Sequence, residues 1–134
     1  MALHGRLNTA VRISKWNDSV DIKCRICSNF YDSQAHLFGQ CLYAKDIWTF
    51  IFKFLDRPIR FAGFKDQISI MQRMVSKKTP LDKTIVMIWT EFIYEVWHQR
   101  NSKTFKGLID PPVRAARSIM FRVACRDHND YAVL

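Results

Sequence analysis

The chain has 134 residues, of which 49% are hydrophobic and 13% aromatic, with only four Gly and four Pro, so disorder and low complexity are excluded and one domain with a real core is expected. A formal charge of +9, from 21 Lys/Arg against 12 Asp/Glu, favours a polyanionic partner. It is not concentrated in a tail: residues 1–60 carry nine bases and five acids, residues 61–134 twelve and seven.

In chain order, residues 2–15 read as a helix with Leu3, Leu7, Ala10, Val11 and Ser14 on one face, ending in the turn cluster Trp16-Asn17-Asp18-Ser19. This segment has Arg6, Arg12 and Lys15 and no acid before Asp18, a composition shared by mitochondrial transit segments and by ordinary first helices. Residues 20–33 are short and irregular, a small hairpin holding Cys24 and Cys27. Ser33 is placed to cap a helix starting at Gln34, with Gly39 ending or distorting it. Beyond Cys41, the spacing of Leu42, Ile47, Trp48, Ile51, Phe52 and Leu55 predicts a helix ended by Asp56-Arg57-Pro58, and 59–64 form an aromatic loop.

A helix over 65–77 would turn Ile68, Met71 and Val75 inward. The next has the clearest start: Thr79 as N-cap, Pro80 at the first helical position and Asp82 in the first turn. Ile85, Ile88, Trp89, Phe92, Ile93, Val96 and Trp97 form its apolar stripe, and Lys103, Lys106 and Gly107 mark its end. Asp110-Pro111 opens a final helix to about Cys125, with Val113, Ala116, Met120 and Phe121 on one side. The expected fold is thus mainly α, about five helices with a zinc-knuckle-like loop near the N-terminal third. One domain is expected over 1–126 (metal module about 20–42, helical part about 42–126), and 127–134 as a flexible tail.

The spacing Cys24-x2-Cys27-x8-His36-x4-Cys41 offers four ligands to one zinc ion. Two cysteines two residues apart can aim both sulfurs at one ion, and a short helical turn returns His36 and Cys41 to it. Four protein ligands leave no open position, so the zinc is expected to be structural. Three thiolates and Zn2+ leave a net −1, beside Lys23 and Arg25. The competing reading is two buried thiols and a packed histidine. A disulfide framework is disfavoured because Cys125 lies far from the other three and the N-terminus carries no secretory leader.

Catalysis finds no support: there is no Gly-rich phosphate loop, no nucleophile elbow and no His-Glu-x-x-His. Glu95 and His98 read as an exposed helix pair, and His128 as part of the tail. No apolar stretch is long enough to span a bilayer, since Glu91 and Glu95 interrupt the best candidate. Candidate nucleic-acid contacts are Lys23, Arg25, Lys77, Lys78, Arg100, Lys103, Lys106, Arg114 and Arg117; the alternative is a set of solvated helix cations. Arg122 and Arg126 extend the basic series on the last helix. Trp48, Trp89 and Trp97 lie in apolar stripes and are expected in the core.

Cys24-Arg25-Ile26-Cys27, Ala35-His36-Leu37-Phe38, Cys41 and Ile47-Trp48 together resemble the zinc-binding domain at the C-terminus of plant non-LTR (LINE-type) retrotransposon reverse transcriptases. Leu3 to Thr9 with Lys15-Trp16 looks like that domain's first helix, and Ile88-Trp89, Trp97 to Asn101 and Phe105 are similar to its tryptophan–arginine–asparagine signature. The resemblance implies one structural zinc and a role in gripping nucleic acid. The paired aspartates of a polymerase site are absent, so a stand-alone or domesticated module is expected. Two functions follow: a nucleic-acid-binding zinc module in nucleus or cytoplasm, or an interaction factor, regulatory or cytotoxic, that acts on a protein partner and is placed in mitochondria if residues 1–17 serve as a leader.

Overall fold

The structure, a computed structural model, describes residues 7–53, 55, 59–77 and 79–133, with side chains of 127–133 excepted. Among the described residues it is all helical apart from one isolated bridge between Lys23 and Tyr31. A single turn, α1 (Ala10–Ile13), precedes five longer helices: α2 (Gln34–Gly39), α3 (Leu42–Phe52), α4 (Phe64–Lys77), α5 (Pro80–Lys106) and α6 (Pro112–Val133).

The capping residues act as their types dictate. Ser33 accepts from the His36 N–H to open α2. Thr79 accepts from the Asp82 N–H to open α5, and Gly107 closes that helix in the left-handed conformation at φ 70°. The first helix departs from the expected span of 2–15. Residues 7–9 are not helical, Thr9 caps α1, and the Ala10 N–H donates to the buried Asp32 carboxylate at 2.6 Å. The chain is thereby turned toward the metal loop, and α1 is held to one turn. Leu3, His4 and the rest of 1–6 lie outside the described residues, as do Asp56-Arg57-Pro58. At the other end α6 runs past Cys125 to Val133, since no Gly or Pro after Pro112 interrupts it.

α5 is the central helix and packs against α2, α3, α4 and α6; α3 also lies along α6. Its stripe of Ile85, Ile88, Trp89, Phe92, Ile93 and Val96 is buried as expected, and Trp97 is half-buried. The Trp48 and Phe92 rings meet edge to face at 5.1 Å, the geometry favoured by ring quadrupoles. Buried Gln67 is the polar hub of this core. Its Nε2 donates to the Phe38 and Ala62 carbonyls, both at 2.8 Å, and its Oε1 accepts from Trp89 Nε1 at 3.0 Å.

Three inward assignments need correction. Val75 is 59% exposed, and α4 instead buries Gln67, Met71 and Met74. Phe121 is 70% exposed and Val113 also faces outward, while Ala115, Ala116, Ile119 and Val123 carry the α6 contact. In both helices a small or polar residue, Gln67 in α4 and Ala115 in α6, shares the inner face with apolar ones, and a search for large apolar residues passes over it. Glu95 is buried rather than exposed: it accepts from Arg122 at 2.8 Å and from Gln99 at 2.7 Å, while His98 faces out.

Candidate metal centre

The loop of residues 20–33 is a tight knuckle. The Cys24 N–H donates to the Phe30 carbonyl at 2.6 Å and the Asp32 N–H to the Ile22 carbonyl at 2.7 Å, which makes the base of a minimal hairpin. Between them the chain folds back so that the Ser28 N–H reaches the Cys24 carbonyl at 3.1 Å, and Ser28 takes φ 61°. That left-handed residue directly after the second cysteine reverses the chain and leaves both sulfurs on one side.

The other two ligands come from α2 and its exit. The cap at Ser33 fixes the orientation of His36 in the first turns of α2. The N–H groups of Gln40 and Cys41 both donate to the His36 carbonyl, at 2.9 and 2.8 Å. This closes the chain in a turn that carries Cys41 back beside His36 before α3 begins. The ligand atoms of Cys24, Cys27, His36 and Cys41 all lie within 4.8 Å of one another. Cys27 Sγ is 3.3 Å from His36 Nε2. Zn–S and Zn–N bonds of about 2.3 and 2.0 Å make a tetrahedron with edges of about 3.5–3.8 Å, so the cluster is close to the size that one zinc ion requires and would draw in slightly around it.

Electrostatics agree. The Cys24 thiol is lowered to about 4, mainly by the hydrogen bond from the Cys41 thiol; burial opposes this, and the backbone N–H groups of Cys27 and Ile26 add to it. The same contact, with burial, pushes the Cys41 thiol up. Crowded, buried sulfurs of this kind share protons unless a cation replaces them, which is what a divalent metal does. His36 is buried, presents Nε2 to the sulfurs and lies tilted against the Phe30 ring at 5.0 Å, and its Nδ1 has no hydrogen-bond partner. Three thiolates and one imidazole with no open position would hold zinc as a structural ion.

The knuckle is fixed to the helical part by two contacts that sequence reading missed. Arg100 of α5 meets Asp32 at 2.6 Å, both side chains buried, and Lys103 Nζ donates to the Ile26 carbonyl at 2.7 Å. Asp32 drew no notice in the sequence because its partner is 68 residues away.

The expected nucleic-acid residues separate accordingly. Arg100 is corrected: it is buried, paired with Asp32 and stacked over Trp97 at 4.8 Å, out of reach of a ligand phosphate. Lys23, Lys77, Lys106, Arg114 and Arg117 are exposed, Arg25 and Lys103 half-buried, and Lys78 lies outside the described residues. Lys23, Arg25 and Lys103 line one cleft at the knuckle, whereas Lys77 ends α4 and Arg114 and Arg117 begin α6. Arg122 and Arg126 pair with Glu91 at 2.7 and 2.6 Å. Trp48 and Trp89 are core residues as expected.

No described helix is long and apolar enough to cross a membrane. No curated protein and no solved structure matches the chain. The family model for zinc-binding in reverse transcriptase (zf-RVT) matches residues 1–48, 48 of the 134, and that segment, with all four clustered ligands inside it, is a zinc-binding module related to reverse transcriptases.

Proposed function

We propose that the chain is a non-catalytic, retrotransposon-derived zinc module that binds nucleic acid at the junction of knuckle and α5. The observation that carries this reading is a cleft of about 300 Å³ where Lys23 and Arg25 of the knuckle face Lys103 of the last turn of α5, with Asp21 the one acid among its lining residues. Arg25 Nε is buried there without a partner. Phe105, 78% exposed, lines an adjoining cleft with Arg25 and offers a stacking face beside that cation. Cations with an adjoining exposed ring are the elements of sequence-tolerant single-strand binding.

The test is the salt dependence of affinity for a mixed-sequence single-stranded RNA, followed by fluorescence anisotropy. Affinity should fall steeply with salt, and Lys23→Ala with Arg25→Ala should reduce the log–log slope by about 1.4, from two phosphate contacts at about 0.7 each. A flat salt response overturns the reading.

A second reading, a protein-interaction factor, draws on a different surface. Phe50 and Val113, 40% and 38% exposed, line a cleft of about 370 Å³ between α3 and α6, and Phe121 stands exposed on α6. A partner that is retained after nuclease treatment and lost on Phe121→Ser would favour it.

A further inference from the structure

A cleft of about 720 Å³ lies between α3 and residues 59–61, in a part of the molecule that does not line the knuckle cleft. Lys45, Thr49 and Lys53 recur every fourth residue along α3 and so share one face; Arg60 stands opposite on the loop. All three cations are exposed, and none of them has an acidic partner among the described residues. Among the described residues no Asp or Glu lines the cleft. Three like charges around one concavity repel one another, and an anion between them relieves that repulsion.

The cleft is also aromatic and preformed. Trp48 Nε1 donates to the Ile59 carbonyl at 2.6 Å, which fastens the loop to α3. Phe61 packs edge-on against Trp48 at 5.8 Å, and Phe52 lies beside the same indole at 4.7 Å. Ile59 and Phe61 are half-buried, so each presents part of its apolar surface to the opening. A ligand suited to this arrangement combines phosphate with a flat apolar group.

From this juxtaposition we infer that the α3 cleft is a nucleotide-binding site, with phosphate held by Lys45, Lys53 and Arg60 and the base laid against Phe61 and Ile59 (the Thr49 hydroxyl between the lysines donates to the Lys45 carbonyl at 2.9 Å). The nucleotide is either free or one unit of a nucleic-acid strand. The site is distinct from the knuckle cleft and does not depend on it.

The experiment uses the full chain with zinc. Binding of AMP is measured by calorimetry, and binding of a mixed twelve-nucleotide RNA by fluorescence anisotropy. The cleft triple variant Lys45→Ala/Lys53→Ala/Arg60→Ala is compared with Lys65→Ala/Arg73→Ala/Lys83→Ala, which removes the same charge from exposed positions elsewhere. The cleft variant should lose at least about ten-fold in affinity, and its RNA salt slope should fall by about 0.7, for the one phosphate the three cations hold together, beyond any change in the control. Loss of AMP binding identifies a free nucleotide as the ligand, and loss confined to RNA identifies a strand. Phe61→Ala should weaken binding several-fold with the salt slope unchanged, since it removes stacking and no charge. Equal losses in the two triple variants, or no loss in either, overturn the proposal. The knuckle variant Lys23→Ala/Arg25→Ala, measured in parallel, reports on the knuckle cleft alone, so either site can fail without the other.

Discussion

Asp32 and Arg100 form a buried ion pair at 2.6 Å between the end of the knuckle and the last third of α5. Asp32 is fully buried and saturated: it also accepts from the Ala10 N–H at 2.6 Å, while its own carbonyl accepts from the Val11 N–H at 3.1 Å. One carboxylate thus joins α1, the knuckle and α5. Removing one member of such a pair leaves the other charged and buried, at a cost of about 3–5 kcal/mol. Asp32→Ala should lower unfolding stability by that amount in urea titration. The double variant Asp32→Leu/Arg100→Met should recover much of the loss, because no orphan charge remains. If Asp32→Ala unfolds at the parent's urea midpoint, the pair is not what joins the knuckle to α5.

The features legible in the sequence are those set by neighbours in the chain. Thr79, Pro80 and Gly107 bound α5, Ser33 opens α2, and the four ligands occupy one short stretch, all within reach of local rules. What escaped depends on residues far apart. Arg100 sat in a run of basic residues and read as a surface cation, since nothing in 97–106 reveals Asp32. α1 is one turn long because Asp32 takes the Ala10 N–H, a bond across 22 residues. The inner face of α4 was misjudged at Gln67, buried by its hydrogen bonds, and that of α6 at Ala115, buried by packing and not by hydrophobic size, whereas Ala116 was read as inward. Ser28 could have been suspected, since a residue directly after a Cys-x-x-Cys pair must turn sharply, but its side chain gives no sign of a left-handed conformation.

Glu91 predicts acid sensitivity at the α5–α6 contact. Burial alone would raise its carboxyl, but hydrogen bonds and charges from Arg122 and Arg126 outweigh it and hold the group below its ordinary value. A depressed folded pKa contributes stability that is present above the unfolded value and lost as pH falls through the folded one. Urea midpoints taken between about pH 7 and pH 3 should therefore fall below the ordinary glutamate range near 4.3. Glu91→Gln should be less stable at neutral pH and show a shallower acid limb. Parallel pH profiles for the two proteins would exclude this linkage.

Gly39 marks the closest approach of α2 to α4. A Cβ there would collide with the Phe64 backbone nitrogen and lie 3.0 Å from the Gly63 carbonyl carbon. Both obstacles are backbone, so no side chain can rotate away. Gly39→Ala should destabilise by about 1–3 kcal/mol, toward the upper end, despite alanine's better helix propensity. Gly63→Ala is the contrast: its nearest obstacle is the Asp66 carboxylate at 3.8 Å, an ordinary contact. Thermal melts of the two variants should differ by several degrees, and equal melting would refute the close approach.

Zinc content tests the cluster itself. The parent protein should carry about one equivalent by elemental analysis, and Cys24→Ser or Cys41→Ser should lose it. Cys125→Ser should keep it, because Cys125 stands exposed on α6 and outside the cluster. Structure should be lost selectively. His36 belongs to α2 and Cys41 caps the start of α3, so these segments and the knuckle depend on the metal directly. By contrast, Ile85, Ile88, Phe92, Ile93 and Ile119 are buried on α5 and α6 and include no metal ligand, although the same core continues to Cys24 and Cys41. A strong chelator should accordingly remove part of the far-ultraviolet helical signal, lower the melting temperature and shift knuckle resonances, while the α5–α6 contact persists. A metal-free parent with unchanged helicity and melting would show that the four residues pack as thiols and imidazole alone.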